Sequence, residues 1–536
     1  MELELVYNKL IMKSIVIKTL LIALVITSTG CKKWLDVNRS PNAPDIVAPN
    51  LYLGPMMTNM AFAAPIDGRY VGKYAQFWSE VTALDTWDRH GYLYSASDPA
   101  AEHWRVVYFL MGYNLNDMMR ISESEQRWDL LGIGHVFKAW GWLNLTVLQG
   151  QIIVSQAFDT SRKTFDYDSQ EYVYGEIIKQ LDLAITNLQR TDGKVDAAYI
   201  GANDIIYNGN REKWLKFAYG LKAMALNHFS NKTTYNPDAI IDAVNKSFAS
   251  NADDAKFKYT GLANASKNYL SPDRGNFTSV RQTNFFLKTL NGTQFNGVVD
   301  PRLRRLIFPA TDGGFYGGEA TFAVPTTGNT APKTIWGTNN VSGIDLPGNY
   351  VFNAKSSVPW MTYAQLQFIK AEAAFRKGDK PTALAAYKNG ISAHIDFVNT
   401  ANAEAANSAI TAITATEKTA FLSSAAIPTD ANNLKLGDIM LQKYIAQWGW
   451  AFNEAWTDLR RYHYTDLEPG STTDQVFRGF QIPDQSRLAT ANQGKPVYRI
   501  RPRYNSEWVW NLETLKKIGG DKDSYHTDIM WIFEKN

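Results

Sequence analysis

The sequence predicts a mainly α-helical protein, in which pairs of helices form a scaffold and a loop-rich region packs against it. Apolar residues recur at helical spacing in several segments, one segment has the pattern helix, tight turn, helix, and helical periodicity is lost across residues 251–359. The chain has 536 residues, of which 45% are hydrophobic and 20% charged, so we expect a large buried core.

Helical spacing is strongest in four segments. The first contains Trp104, Tyr108 and Met111, which recur at intervals of three and four residues. In the second segment, Asp168 or Ser169 is the expected cap of the helix that follows, because short polar side chains accept hydrogen bonds from free backbone N–H groups. The predicted helix pairs span residues 101–148, 172–229, 361–399 and 436–462.

The third pair has the clearest internal pattern. Ala371 and Ala374 precede Gly378-Asp379, and Ala383 and Ala386 follow it. These small residues lie where two helices must approach closely, which is a tetratricopeptide-like pattern. By contrast, residues 251–359 are rich in Gly, Asn, Thr, Ser and Pro, and we predict a loop-rich layer there.

The N-terminus has the pattern of an export signal over residues 1–30. Three lysines precede an apolar run from Leu20 to Ile26, and small residues then lead to Cys31. The run is shorter than the roughly 20 apolar residues of a membrane-spanning helix. Cys31 is the only cysteine, which excludes an intrachain disulfide. Its position predicts a lipobox whose thiol is acylated; the alternative is an ordinary secretory signal followed by a cysteine.

Charge and reactive residues exclude several functions. The formal net charge is +3, from 55 basic and 52 acidic residues, so no nucleic-acid partner is expected. The seven histidines show no HExxH or other close metal spacing, so we predict neither a metal nor another cofactor. No GxSxG elbow or phosphate-binding glycine loop is present, and we therefore predict a protein that is not an enzyme.

Several segments along the chain resemble the SusD/RagB family of outer-membrane lipoproteins from Bacteroidetes, and specifically its SusD-like branches. The most specific match is Met361-Thr-Tyr-Ala followed by Ala371-Glu-Ala-Ala, and the second is Gln442 to Ala446 with Glu454 to Arg461. The remaining matches are Trp34 to Pro44, Phe165 to Leu188, Asp300-Pro-Arg-Leu303 and Arg501-Pro-Arg-Tyr504.

The resemblance implies a single domain over residues 31–536, with four tetratricopeptide-like helix pairs arranged as an α–α superhelix. It implies a lipid-anchored protein of the outer membrane, facing the cell surface, that binds an oligosaccharide and delivers it to a TonB-dependent, SusC-like barrel without cleaving it. A second interpretation keeps the fold but makes the ligand a peptide, as on the RagB side of the family. A third is a surface glycoside hydrolase, because an acid/base carboxylate pair is defined by distance in space.

Aromatic residues outside the helical stripes are the candidate ligand contacts. Aromatic side chains make up 13% of the chain, and sugar rings stack their apolar faces on such rings. Trp78, Trp87, Trp336 and Trp360 lie beside Gly, Asp, Asn or Pro and are expected to be exposed platforms; the alternative is that they fold back onto the core. The predicted ligand-binding residues are Asp85, Trp87, Arg89, Tyr92, Phe315, Tyr316 and Trp336.

Overall fold

The computed structural model of the chain describes residues 2–27, 47–92, 100–337, 349–404 and 411–536. It divides into two compact units, Met1–Ala48 and Pro49–Asn536. In the first unit, helix α1 (Glu2–Thr27) covers most of the predicted signal segment. Cys31, the predicted lipidation site, lies outside the described residues. Among the described helices, none combines the length and the apolar character needed to cross a membrane.

The second unit is mainly helical and contains four short strands in its described part. Its helices are α2 (Leu53–Tyr74), α3 (Glu102–Arg105), α4 (Gly112–Ser124), α5 (Trp128–Gln149), α6 (Gln170–Gln189), α7 (Ala197–Gly201), α8 (Arg211–Asn227), α9 (Pro237–Asn245), α10 (Asn284–Leu290), α11 (Leu303–Leu306), α12 (Tyr363–Lys377), α13 (Lys380–Glu404), α14 (Ala415–Leu422), α15 (Leu436–Gln447), α16 (Phe452–Arg461) and α17 (Leu512–Lys517). The strands are β1 (Trp78–Glu80), β2 (Ala255–Lys258), β3 (Val280–Gln282) and β4 (Ser357–Met361).

The scaffold consists of neighbouring helix pairs. Helix α4 contacts α5, α6 contacts α8, α12 contacts α13, and α15 contacts α16. Contacts between α5 and α6 join the first two pairs, and contacts between α12 and α15 join the last two. Helix α9 lies between α8 and α12 and touches both. The mainly helical fold predicted from the sequence is therefore confirmed.

Local sequence signals explain where these helices begin and end. Ser169 caps α6, because its side chain accepts a hydrogen bond from the Tyr172 backbone N–H at 3.2 Å. Helix α12 ends at Gly378, whose φ of +87° favours glycine. At Gly390 in α13, an added methyl group would lie 2.8 Å from the Phe368 ring, so glycine permits close packing of α12 and α13.

The segment 436–462, predicted as a helix pair, forms the two helices α15 and α16, and the break between them lies at Trp448 and Gly449. Trp448 leaves the helical conformation with ψ 134°, and Gly449 then adopts φ +81°. An added methyl group at Gly449 would lie 2.8 Å from the Phe352 ring. Trp448 is thereby placed face to face with Phe286, with ring centroids 4.7 Å apart. Packing against the loop-rich layer therefore interrupts the helical pattern.

The loop-rich region contains β2, β3 and most of β4. Strand β1 pairs antiparallel with β3 and so ties this region to the segment after α2, whereas β2 and β4 pair antiparallel with each other and join the two ends of the region. Many of its side chains are buried in the core, including Phe286, Tyr350 and Phe352. The predicted layer therefore packs on the helical scaffold through its own apolar residues.

A buried ionic network connects α12, α15 and α16. Lys443 Nζ lies 2.9 Å from Asp458 Oδ2 and 3.4 Å from Glu454 Oε1. Arg461 Nη1 lies 2.7 Å from Glu372 Oε1, and Arg461 Nη2 lies 2.6 Å from Asp458 Oδ1. Burial alone would raise the pKa of Glu372, but Arg461 and Lys443 hold it well below its usual range. The network consists of Glu372, Arg376, Lys443, Glu454, Asp458 and Arg461.

Candidate functional site

The first predicted loop, Asp85 to Tyr92, follows β1 and turns its aromatic rings into the protein. Trp87 is 3% exposed and Tyr92 is 6% exposed. The Trp87 ring centroid lies 4.6 Å from Tyr70, 5.4 Å from Tyr74 and 5.3 Å from Tyr92. The prediction that Trp87 and Tyr92 are exposed stacking platforms is therefore wrong, because the end of α2 supplies rings that cover Trp87.

The polar residues of this loop make hydrogen bonds within the chain. Asp85 Oδ1 accepts a hydrogen bond from Lys73 Nζ at 2.9 Å. Arg89 donates from Nε to the carbonyl oxygen of Arg487 and from Nη2 to that of Leu488, at 3.0 Å each. Asp85 and Arg89 therefore fix the loop, and much of their hydrogen-bonding capacity is used in doing so.

Asp88 lies buried within the same loop. Its Oδ2 accepts a hydrogen bond from the Glu80 backbone N–H at 2.8 Å, while its Oδ1 has no hydrogen-bond partner among the described residues. Burial raises the pKa of Asp88 to about 8, and the positive charge of Lys73 opposes this only in part. The Asp88 carboxyl is therefore mainly protonated at neutral pH.

The second predicted loop, Gly313 to Gly318, leaves both of its aromatic side chains half-buried. Phe315 packs partly against the core. The Tyr316 hydroxyl donates a hydrogen bond to Asp312 Oδ2 at 2.8 Å. Phe315 and Tyr316 therefore remain partly accessible at the surface.

Thr321, three residues after the second predicted loop, forms hydrogen bonds that connect this part of the chain with the first loop. The Leu84 backbone N–H donates to the Thr321 carbonyl oxygen at 3.0 Å. Arg487 Nη2 donates to the same oxygen at 2.8 Å, and Arg487 Nε donates to Thr321 Oγ1 at 2.9 Å. Because Arg89 binds the Arg487 carbonyl oxygen, one hydrogen-bonded junction connects the first loop with Thr321.

The other predicted tryptophans also lie inside the protein. Trp336 is 2% exposed, and its Nε1 donates to the Leu270 carbonyl oxygen at 2.8 Å. Trp78 is fully buried, and its Nε1 donates to the Arg69 carbonyl oxygen at 3.4 Å. Trp360 is half-buried, with its ring 6.1 Å from that of Trp140. The predicted exposure of Trp78 and Trp336 is therefore wrong, because both indole N–H groups find backbone acceptors in the interior.

The buried tryptophans support a partly exposed group of side chains, which we call the tyrosine–arginine surface: Arg69, Tyr70, Tyr269 and Arg274. All four are half-buried. The Arg69 guanidinium carbon lies 5.9 Å from the centre of the Tyr70 ring, and that of Arg274 lies 5.7 Å from the centre of the Tyr269 ring. Burial raises the pKa of Tyr269, and the nearby Arg69 guanidinium opposes that rise. Arg69 therefore lies close to both tyrosines.

Trp87 and Trp78 support the two residues of this surface that belong to α2. Trp87 packs under Tyr70, and Trp78 binds the backbone carbonyl of Arg69. The close fit of Trp78 requires Gly72, because an added methyl group there would lie 2.6 Å from the indole ring. The orientation of Arg69 and Tyr70 is thus set by rigid aromatic packing.

The loop side of the surface is anchored in a similar way. Tyr269 packs edge-on against Phe277, with centroids 6.2 Å apart, and Phe277 packs edge-on against Trp78 at 5.0 Å. Asn268 Nδ2 donates to the Val351 carbonyl oxygen at 2.6 Å. Together with the hydrogen bond from Trp336 to the Leu270 carbonyl oxygen, these contacts fix the position of Tyr269.

Sequence reasoning missed all four residues of the tyrosine–arginine surface. Arg69 and Tyr70 belong to α2, where an aromatic side chain is usually a core residue. Tyr269 and Arg274 belong to the loop-rich region, in which the predicted ligand contacts were Phe315, Tyr316 and Trp336. An available signal was the pairing of Tyr with Arg in both segments, at 69–70 and within 269–274.

A separate groove of about 500 Å³ contains Phe315. Its walls are largely apolar, including Val299, which is 56% exposed, and Phe421 on α14. One ion pair crosses it, between Arg304 Nη2 and Glu417 Oε1 at 2.8 Å. The groove thus combines largely apolar walls with one ion pair. It shares no lining residue with the tyrosine–arginine surface.

In the described ranges, no group of three or more His, Cys, Asp or Glu side chains is arranged to hold a metal ion. The helical scaffold presents aromatic rings and guanidinium groups on a partly exposed surface that buried aromatic side chains support.

The chain belongs to the SusD-like family, because the family model described as "Starch-binding associating with outer membrane" matches residues 41–485. The resemblance to the SusD/RagB family that the sequence motifs indicated is thereby confirmed. The family description also connects the chain with the outer membrane. A comparison with curated proteins found no match.

Solved structures share the fold over nearly the whole chain. A SusD/RagB family protein from Bacteroides thetaiotaomicron is 24% identical with a TM-score of 0.70, covering 92% of this chain and 100% of the other. A SusD homolog from Bacteroides fragilis is 18% identical with a TM-score of 0.68, covering 91% and 100%. A chitin-binding SusD homolog from Flavobacterium johnsoniae is 19% identical with a TM-score of 0.64, covering 91% and 99%.

Proposed function

We propose that this protein captures a glycan on the tyrosine–arginine surface and delivers it, uncleaved, to a TonB-dependent, SusC-like barrel in the outer membrane. The observation that carries the proposal is the pair of half-buried rings, Tyr70 packed on the buried Trp87 and Tyr269 packed on the buried Phe277. A pyranose ring stacks its apolar face on such a ring while polar neighbours bind its hydroxyls. Membership of a family described as starch-binding points in the same direction.

Rigid support matters because binding otherwise costs the ordering of flexible side chains. Trp87 and Trp78 fix Tyr70 and the backbone of Arg69 before any ligand arrives. Such a preformed surface suits reversible capture, in which the ligand must later leave for the transporter.

The experiment is a binding panel of oligosaccharides and peptides, measured by calorimetry on wild-type protein and on Tyr70→Ala and Tyr269→Ala. We expect one glycan class to bind, and each variant to weaken it about tenfold, equivalent to ~1.4 kcal/mol. Tyr172→Ala is the matched control, because Tyr172 is 44% exposed on α6. Glycan binding that both variants leave unchanged would remove the site from this surface.

The proposed location is the outer membrane, with Cys31 lipidated after removal of residues 1–30 and the protein facing the cell surface. Multiple acyl chains on one cysteine provide a stable anchor. We expect Cys31→Ser to move the protein from the membrane fraction to the soluble fraction of cells. Surface protease treatment of intact cells tests the orientation, and co-purification with an outer-membrane barrel tests the partner.

A second candidate is peptide capture in the groove that contains Phe315. The apolar walls formed by Val299 and Phe421 favour apolar side chains, and the Arg304–Glu417 pair offers polar contacts to a peptide backbone. Phe315→Ala would then weaken peptide binding and leave glycan binding unchanged. Release of sugar products from a polysaccharide by purified protein would instead support the third interpretation, a surface glycoside hydrolase.

A further inference from the structure

We propose that the tyrosine–arginine surface selects glycans that carry negative charge, as a uronate carboxylate or a sulfate ester. This inference rests on the proposed function, because it names the class of glycan that the same surface binds. The inference follows from the placement of two guanidinium groups beside two aromatic rings on which a sugar can stack.

Neither guanidinium has a carboxylate partner within the described ranges. Among the residues that the structure describes, no ion pair involves Arg69 or Arg274. Arg274 Nη1 donates one hydrogen bond, to the Asn264 carbonyl oxygen at 2.6 Å. A guanidinium carries five N–H donors, so most of the donor capacity of Arg274 is not used by that bond. Both positive charges are therefore available to a ligand at a partly exposed surface.

Acidic residues close in sequence to this surface have cationic partners. Asp273 precedes Arg274 in the chain, but its carboxylate is paired with Lys267. On α2, which also carries Arg69 and Tyr70, the positive charge of Lys73 pairs with the carboxylates of Glu80 and Asp85. These acidic groups are thus paired with lysines, and no ion pair among the described residues neutralises the two arginines.

A planar guanidinium matches the two oxygens of a carboxylate or sulfate through parallel N–H···O bonds, which are stronger than bonds to neutral hydroxyls. The tyrosines stack on the apolar face of the sugar ring, and this contact does not distinguish charged from neutral sugars. Selection for negative charge therefore depends on Arg69 and Arg274, whereas affinity for a pyranose ring depends on Tyr70 and Tyr269.

The test measures calorimetric binding of four probes to the purified protein: an α-1,4-linked galacturonate oligosaccharide, its fully methyl-esterified form, a chondroitin sulfate oligosaccharide and a maltooligosaccharide. Galacturonate against its ester isolates the charge, and galacturonate against chondroitin sulfate separates carboxylate from sulfate. We expect an acidic probe to bind at least tenfold more tightly than the neutral probes, and the preference to shrink as salt rises to about 0.5 M.

The variants separate charge selection from sugar binding. Arg69→Gln and Arg274→Gln should each lower affinity for the acidic probe roughly tenfold or more, and lower affinity for the neutral probe by a smaller factor, because a guanidinium binds a charged group more strongly than a neutral hydroxyl. Arg69→Lys should restore part of the preference, because lysine keeps the charge but not the bidentate geometry. Arg120→Gln is the control, since Arg120 is 69% exposed on α4. Circular dichroism of each variant verifies its fold.

Each outcome is decisive. Tight binding of an acidic probe that the arginine variants abolish supports the inference. Equal binding of neutral and acidic probes, or selection for charge that survives both arginine variants, overturns it and leaves the proposed glycan capture in place. Failure of every sugar probe to bind overturns the inference together with the proposed function.

Discussion

Replacing Lys443 by methionine tests the part that the ionic network plays in holding the scaffold together. The Lys443 side chain is 0% exposed and lies 2.9 Å from Asp458 and 3.4 Å from Glu454. The network contains three cationic and three acidic side chains, so the variant leaves it with one unbalanced negative charge. Removing one partner of a buried ion pair costs about 3–5 kcal/mol, because the remaining charge is neither solvated nor paired.

The cost of Lys443→Met should depend on pH in a defined direction. In the wild type, burial opposes ionisation of Glu454, but His228 and Lys443 lower its pKa below the ordinary 4.5. A depressed carboxyl pKa contributes stability above 4.5 that is lost as pH falls through the folded-state value. Without Lys443, the pKa of a carboxyl group in the network rises. Protonation of that group at about pH 5 then removes the unpaired negative charge and recovers part of the lost free energy of unfolding. The variant should therefore lose less stability at about pH 5 than at about pH 8.

The assay is urea unfolding followed by circular dichroism at both pH values, with Lys246→Met as the matched control. Lys246 is 51% exposed and pairs with Asp242 at 2.7 Å, and such a surface pair contributes only about 0–1 kcal/mol. A loss below about 1 kcal/mol for Lys443→Met, or an equal loss at both pH values, would refute this account of the network.

Three further predictions concern backbone strain and buried titrating groups. Gly449→Ala should lower the melting temperature more than Gly470→Ala. Both positions have φ +81°, so an alanine at either costs about 1–2 kcal/mol in backbone strain. Only at Gly449 does the added methyl group also meet a ring, that of Phe352 at 2.8 Å. Asp88→Asn should become increasingly stabilising from about pH 6 to pH 9. The pKa of Asp88 is raised to about 8, so the wild type loses stability as pH rises and the buried carboxyl ionises. Equal melting temperatures for variant and wild type across this range would contradict the prediction. His90→Gln should reduce the fall in melting temperature between about pH 7 and pH 5. Burial lowers the pKa of His90 to about 3, so in this range the histidine binds a proton in the unfolded chain but not in the folded protein, which favours unfolding. An unchanged dependence of the melting temperature on pH would count against this prediction.

The fold was largely predictable because helical periodicity is a local property of the sequence. The turn at Gly378-Asp379 and the small residues around it placed α12 and α13 correctly, since close packing requires small side chains wherever it occurs. The break at Gly449 was not predictable in the same way. It depends on Phe352 and Phe286, which are distant in sequence and belong to the loop-rich layer.

The candidate site was predictable only in its neighbourhood. Trp87 and Trp336 were chosen because they lie outside helical stripes, and both lie next to the tyrosine–arginine surface. Their burial follows from partners that no local pattern reveals, namely the ring of Tyr70 on α2 and the carbonyl oxygen of Leu270. A tryptophan in a loop has the same sequence context whether its ring points outward or inward.

By itself, the sequence determined the helical class and the family, because these depend on composition, spacing and ordered motifs. Only the tertiary structure decided which rings remain accessible. Exposure depends on what covers each side chain, and the rings that cover Trp87 and support Tyr269 come from separate segments brought together by folding. The tertiary structure also left Arg69 and Arg274 without carboxylate partners among the described residues, and the proposed charge selection rests on that arrangement.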